Sequence, residues 1–229
     1  MTTRASVPTI SAKWVRLFHF IYGRQSISKV YDSLHFHTIR YKESAVTELG
    51  LKRGDHVVVF CCGTGHEFSF IQERIGPEGE IFGIDWSDGM LEQARRKIAD
   101  NGWTNVKLVK GDVTALPESV VETASYDAGI CTLGLAIISE PEKAFQALKS
   151  AVRVGGRIVI ADVCSFSGLK SILNPLITLM NLGGGNTRRS LAHSRVFAEA
   201  LPSELLDAKL KWHLGGSSYI ASGRRLDAL

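Results

Sequence analysis

The stretch Val57-Val58-Val59-Phe60-Cys61-Cys62-Gly63-Thr64-Gly65, followed by Asp85 at the close of a second apolar run, decides the fold. The apolar run reads as a buried strand, and the glycines after it read as a tight turn into a helix. Gly63 and Gly65 remove side chains that would keep a ligand off the backbone, and a helix opening just beyond them aims free N–H groups at a polar ligand. Asp85, twenty residues after Gly65, stands where a carboxylate accepts both hydroxyls of a ribose. The pattern is a nucleoside-binding half-site.

The same alternation continues downstream. A helix over 67–74 is broken by Gly76-Pro77-Glu78-Gly79 before a strand at 81–84. Ser87 is placed to cap a helix with Met90, Leu91, Ala94 and Ile98 on one face, which stops at Asn101-Gly102. Strands follow at 106–109, 126–131 and 157–161, with a helix at 142–152 and a turn at Gly155-Gly156. Strands and helices in this order predict a doubly wound, mostly parallel α/β sheet covered on both faces. The rhythm then changes: 169–182 is apolar, Gly183-Gly184-Gly185 interrupts it, and strands near 210–213 and 217–222 predict an antiparallel edge hairpin.

A chain of 229 residues, 45% hydrophobic, suits one soluble domain with added helices. We divide it into an N-terminal helical lid or anchor (1–50) and a ligand-binding domain (51–229) with a helical insertion at about 165–205. Trp14, Leu17, Phe18 and Ile21 recur at helical spacing in the first part. The four cysteines form no CxxC pair or metal-ligand cluster, so reduced thiols and no metal are expected. The N-terminus does not read as a secretory leader, and no apolar run reaches the roughly 18 residues of a spanning helix. A cytoplasmic location follows, with peripheral membrane contact as the alternative. Net charge is +4, and residues 1–53 hold nine Lys/Arg against Asp32, Glu43 and Glu48. Those basic residues are not interleaved with a stacking platform of aromatics, so nucleic acid is not the expected partner. Oligomeric state is not readable from this chain.

Parallel sheets bind ligands beyond the carboxyl ends of their strands, which singles out Cys61, Gly63, Thr64, Gly65, Asp85, Trp86, Asp112, Val113, Cys131 and Thr132. A dinucleotide site would favour a third glycine three residues after Gly65, and that position is Phe68. Asp112 can accept an adenine's exocyclic amine while Asp85 holds the ribose, and Trp86 and Met90 offer the base an apolar surface. Adenine, ribose and a short zwitterionic tail match S-adenosylmethionine.

At these residues the chain resembles the class I S-adenosylmethionine-dependent methyltransferases. The segments Cys61-Cys62-Gly63-Thr64-Gly65, Gly83-Ile84-Asp85-Trp86-Ser87-Asp88-Gly89-Met90-Leu91, Lys110-Gly111-Asp112-Val113, Val154-Gly155-Gly156-Arg157 and Tyr219-Ile220-Ala221-Ser222-Gly223-Arg224 carry the likeness over roughly 31–225. It implies a seven-stranded Rossmann-like methyltransferase fold. Tyr31-Asp32, Arg40-Tyr41, Gly76-Pro77-Glu78-Gly79 and Arg188-Arg189 look most like phospholipid N-methyltransferases and quinone C-methyltransferases. A phospholipid amine is the first expectation for the acceptor, with a quinone or secondary metabolite as the alternative. The family usually has an acid two positions before Cys61, where this chain has Val59, so a weaker hold on the cofactor is expected.

The resemblance places Tyr31 at the methyl-transfer site, and Tyr22 and His35 stand with it as catalytic candidates, with His37, Asp162 and His193 behind them. Arg188 and Arg189 can grip a phosphate or carboxylate bidentately, and Tyr41 joins them as a substrate contact. The apolar run at 172–182 reads equally as cover for an acyl chain, a membrane contact or a helix on the sheet edge. Two other classes remain: a catalytically silent cofactor-binding regulator, suggested by Val59, and a nicotinamide oxidoreductase.

Overall fold

A computed structural model describes residues 38–117, 120, 121 and 123–226. The expected lid or anchor up to residue 37, with Tyr22, Tyr31, His35 and His37, lies outside the described residues. The elements run α1 (Ile39–Glu48), β1 (His56–Phe60), α2 (His66–Ile75), β2 (Glu80–Asp85), α3 (Asp88–Asp100), β3 (Val106–Lys110), β4 (Tyr126–Thr132), α4 (Pro141–Ala151), β5 (Val152–Val163), α5 (Asn174–Asn181), α6 (Arg188–Ala200), β6 (Leu205–His213) and β7 (Ser218–Arg225). They form a seven-stranded sheet in the order β3-β2-β1-β4-β5-β7-β6. Strands β1 to β5 pair in parallel, and β7 lies antiparallel to both β5 and β6. The expected edge hairpin is therefore present.

β1 shows why the central strands lack polar alternation. Val57 and Val59 pack with Ala45, Val46, Phe68 and Ile71 from α1 and α2 on one face. Val58 and Phe60 join Phe145, Leu148 and Phe197 from α4 and α6 on the other. A strand buried on both faces is apolar throughout. Chain order turns back between β1 and β4, so the carboxyl ends of these neighbours open the crevice where such sheets bind ligands.

Two boundaries differ from the sequence reading. Gly155-Gly156 makes no turn before β5; the strand begins at Val152 and its register against β4 shifts between Tyr126 and Ala128. Gly155 has φ 75, and a Cβ on Gly156 would lie 2.6 Å from the Asp127 carbonyl oxygen, so the glycines serve a bulge. β6 starts at Leu205, well before 210, because a register shift between Leu206 and Lys209 hides its pairing from simple alternation.

Candidate active site

The glycine loop leaves β1 through Cys61, which holds φ 52, a conformation that glycine takes without steric cost. Gly63 (φ 54) and Gly65 (φ 71) continue the turn, and Gly65 caps α2. A Cβ on Gly63 would meet nothing within 4 Å, so the outer side of the loop is open to a ligand. A Cβ on Gly65 would strike the Phe68 ring at 2.5 Å. Phe68 is wholly buried and turned in under the loop, where it also approaches Gly83. The bulk that replaces the third glycine thus supports the turn from below.

Asp85 closes β2 and is 7% exposed. Its Oδ2 accepts the Gly63 N–H at 2.8 Å and its Oδ1 accepts the Ser87 N–H at 2.9 Å. One carboxylate therefore joins the glycine loop to the start of α3, and its remaining lone pairs suit ribose hydroxyls. Burial pushes its carboxyl above the ordinary value, against the N–H groups of Ser87, Gly63 and Trp86. Ser87 caps α3 by accepting the Met90 N–H. Trp86 is 37% exposed while Met90 and Val113 are buried. Asp112 is exposed and accepts the Thr114 N–H at 2.9 Å through Oδ1.

At the end of β4, Cys131 and Thr132 are buried. A hydrogen bond with the Cys61 thiol, and burial, push the Cys131 thiol well above its usual value. All four cysteines are free. Leu133 takes φ 53, so the chain leaves both β1 and β4 through a left-handed residue. Thr132 donates through Oγ1 to Oε1 of Glu67, which also receives Lys42 Nζ at 2.7 Å. Sequence reading passed over this buried pair: Lys42 and Glu67 look like surface charges until α1 and α2 are placed. Glu67's position in the first turn after the glycine loop was the available signal.

Beyond β4 a cavity of about 530 Å³ is walled by Leu135, Ala136, Ile138, Pro141 and Phe197, with Arg189 and His193 from α6 and Glu142 from α4. His193 Nε2 lies 2.9 Å from Glu142 Oε1. Arg188 and Arg189 are both exposed, and Arg189 lines this cavity. Tyr41 is committed elsewhere: its hydroxyl sits 2.5 Å from the Tyr219 carbonyl oxygen and 3.1 Å from that of Asp162, tying α1 to β5 and β7.

The open glycine loop, the acid closing β2 and the apolar floor at Met90 and Val113 fit an adenosine with an amino-acid tail. Residues 51–200 match the family described as "Methyltransferase domain". The chain belongs to the class I S-adenosylmethionine-dependent methyltransferases. A curated relative of this methyltransferase is the demethylmenaquinone methyltransferase of Staphylococcus aureus (strain JH9), 33% identical over 144 residues, which are 60% of this chain and 57% of the relative. The match thus spans little more than half the length of such relatives. A methyltransferase from Aquifex aeolicus matches its fold with TM-score 0.60 at 17% identity, over 89% of this chain and 99% of that one. The phosphoethanolamine N-methyltransferase 2 of Haemonchus contortus, solved with S-adenosyl-L-methionine, matches with TM-score 0.72 at 10% identity, over 93% and 60%. The cofactor expected from Asp85 and the glycine loop is the cofactor of this family.

Proposed function

We propose that the protein methylates an amphiphilic acceptor of the quinone class. The observation that carries this reading is the cavity next to the end of β4, which combines the apolar side chains of Leu135, Ile138 and Phe197 with polar groups that include the His193–Glu142 pair. The identity to a demethylmenaquinone methyltransferase supports it. S-adenosylmethionine supplies an activated methyl group, so the protein's own residues must orient the acceptor, exclude water and accept any proton on the nucleophile. Glu142 fixes the imidazole: in the neutral ring the proton sits on Nε2 and leaves Nδ1 as the base for an acceptor hydroxyl. Leu135, Ala136 and Phe197 line the same cavity as the ring, which is 26% exposed. Labelled cofactor with a membrane lipid extract tests the reading. Label should enter the quinone fraction; label in phospholipid would instead support an amine acceptor whose headgroup phosphate is held by Arg189.

We infer that the acceptor is met at an anionic lipid surface. The 3₁₀ turn Gly168–Leu173 and α5 bury no residue, and Leu169, Ile172, Leu179 and Met180 are 98%, 82%, 68% and 71% exposed. Asn174 pins the segment to the body by accepting the Phe166 N–H at 2.7 Å and donating to the Phe166 carbonyl at 3.1 Å. Lys170 within it and Arg188 and Arg189 beyond it add exposed positive charge, whereas Arg195 is ion-paired with Glu199. Apolar chains with basic flanks suit a negatively charged bilayer. The protein should sediment with vesicles containing phosphatidylglycerol and not with phosphatidylcholine alone, and Leu176→Glu with Leu179→Glu should abolish this while cofactor binding persists. Failure to bind either vesicle, or a dimer split by the same substitutions, would refute the inference.

No helix among the described residues is long and apolar enough to cross a membrane.

A further inference from the structure

Glu67 is the second residue of α2 and is 1% exposed. Its Oε1 is doubly engaged, by Lys42 Nζ and by Thr132 Oγ1. Its Oε2 is buried and has no hydrogen-bond partner. Burial pushes the carboxyl up, but the Lys42 charge and the hydrogen bonds from Lys42 and Thr132 outweigh it and hold the group below the ordinary carboxylate range. An ionised oxygen without a donor in the interior is costly. The complement it lacks is a hydrogen-bond donor, and a cationic N–H adds charge attraction to the bond.

The position of this oxygen bears on Val59. β1 and β4 pair Val59 with Ile130, so Thr132 stands one pleat further toward the carboxyl ends on the same face. Lys42 belongs to the buried stripe of α1 that includes Ala45 and Val46, and these pack on that face with Val59 and Ile130. Lys42, Thr132 and Glu67 therefore assemble just above the level where related enzymes carry an acid on β1.

We propose that Glu67 replaces the acid that Val59 lacks, with Lys42 and Thr132 fixing Oε1 while Oε2 receives the ammonium of the cofactor's methionine tail. The acid is delivered from the helix after the glycine loop and no longer from the strand before it. The expectation of a weak hold on the cofactor, drawn from Val59 alone, then reverses. This inference rests on the methyltransferase reading, and the test separates the two.

Calorimetry with S-adenosylhomocysteine and with 5′-methylthioadenosine, which keeps the nucleoside and lacks the amino-acid tail, reads the proposal directly. Glu67→Gln should weaken S-adenosylhomocysteine about tenfold or more, the scale of a hydrogen bond to a charged group, and leave 5′-methylthioadenosine unchanged. Adding Val59→Asp should restore part of the loss. Because Glu67→Gln strands the buried Lys42 charge, the paired change Lys42→Met with Glu67→Gln gives a second background for the same comparison. Equal weakening of both ligands would assign Glu67 a structural role, and no weakening of either would remove it from the site; each overturns the proposal while leaving the methyltransferase reading intact. A wild-type protein that binds neither ligand would overturn both.

Discussion

The Asp162 carboxylate accepts the Ala136 N–H at 2.9 Å, so the carboxyl end of β5 holds the chain segment that walls the cavity beyond β4. The other oxygen accepts the Val163 N–H at 2.7 Å. Burial raises this carboxyl from 3.8 to about 6, against the pull of N–H groups at Ala136, Val163, Leu135 and Gly134. A raised acid binds its proton more tightly in the folded state, so its contribution is most favourable below the unfolded value and is lost as pH rises through about 6. The wild type should lose up to about 3 kcal/mol relative to Asp162→Asn between about pH 4 and pH 7.5. Urea midpoints of both proteins at the two pH values check this, and a difference that does not move with pH would contradict it.

The two loop glycines should respond differently to alanine. Gly65→Ala places a methyl 2.5 Å from the buried Phe68 ring at φ 71, combining left-handed strain with overpacking. A loss of about 2–5 kcal/mol is expected. Gly63→Ala meets open space and carries only the strain, about 1–2 kcal/mol, but its methyl projects into the ligand's side of the loop. Thermal denaturation with and without S-adenosylhomocysteine should show Gly65→Ala unstable in both conditions. Gly63→Ala should be mainly deficient in the stabilisation that the ligand adds.

The central strands were readable because Val57 to Phe60 are buried on both faces, and a continuous apolar run bounded by glycine has few other readings. Asp85 was readable because it closes an apolar run twenty residues after the glycine loop, the spacing that one turn–helix–strand unit sets. Glu67 was not, since its partners Lys42 and Thr132 lie 25 and 65 residues away and meet it only once α1, α2 and β4 are assembled. Arg189 and His193 stand one helical turn apart on α6, but their joint facing toward Glu142 depends on how α6 lies against α4. The bulge at Gly155 was misread as a turn because glycine with positive φ serves both.

The His193–Glu142 pair predicts a catalytic effect separable from binding. His193→Asn removes the base facing the cavity while leaving the glycine loop and Asp85 untouched. For an acceptor with a proton to lose, kcat should fall about 100-fold or more, the scale of general base catalysis. The affinity for S-adenosylhomocysteine should remain unchanged. Glu142→Gln should show a smaller loss, since it weakens the orientation of the ring without removing it. Equal kcat for wild type and His193→Asn would place the proton acceptor elsewhere.

Asp85 supplies the contrast to Glu67. Asn at 85 has one acceptor oxygen where the carboxylate uses one for Gly63 and one for Ser87, so an N–H loses its partner and an amide N–H faces it. A stability loss of about 1–3 kcal/mol follows. The ribose also loses an ionised acceptor, and both S-adenosylhomocysteine and 5′-methylthioadenosine contain that ribose. Asp85→Asn should therefore weaken the two ligands together, by about tenfold or more. Titrating both ligands into Asp85→Asn and Glu67→Gln side by side locates the two ends of the cofactor. A loss confined to S-adenosylhomocysteine in Asp85→Asn would mean that this carboxylate faces the tail, reversing the orientation in which the glycine loop and β2 have been placed around the nucleoside.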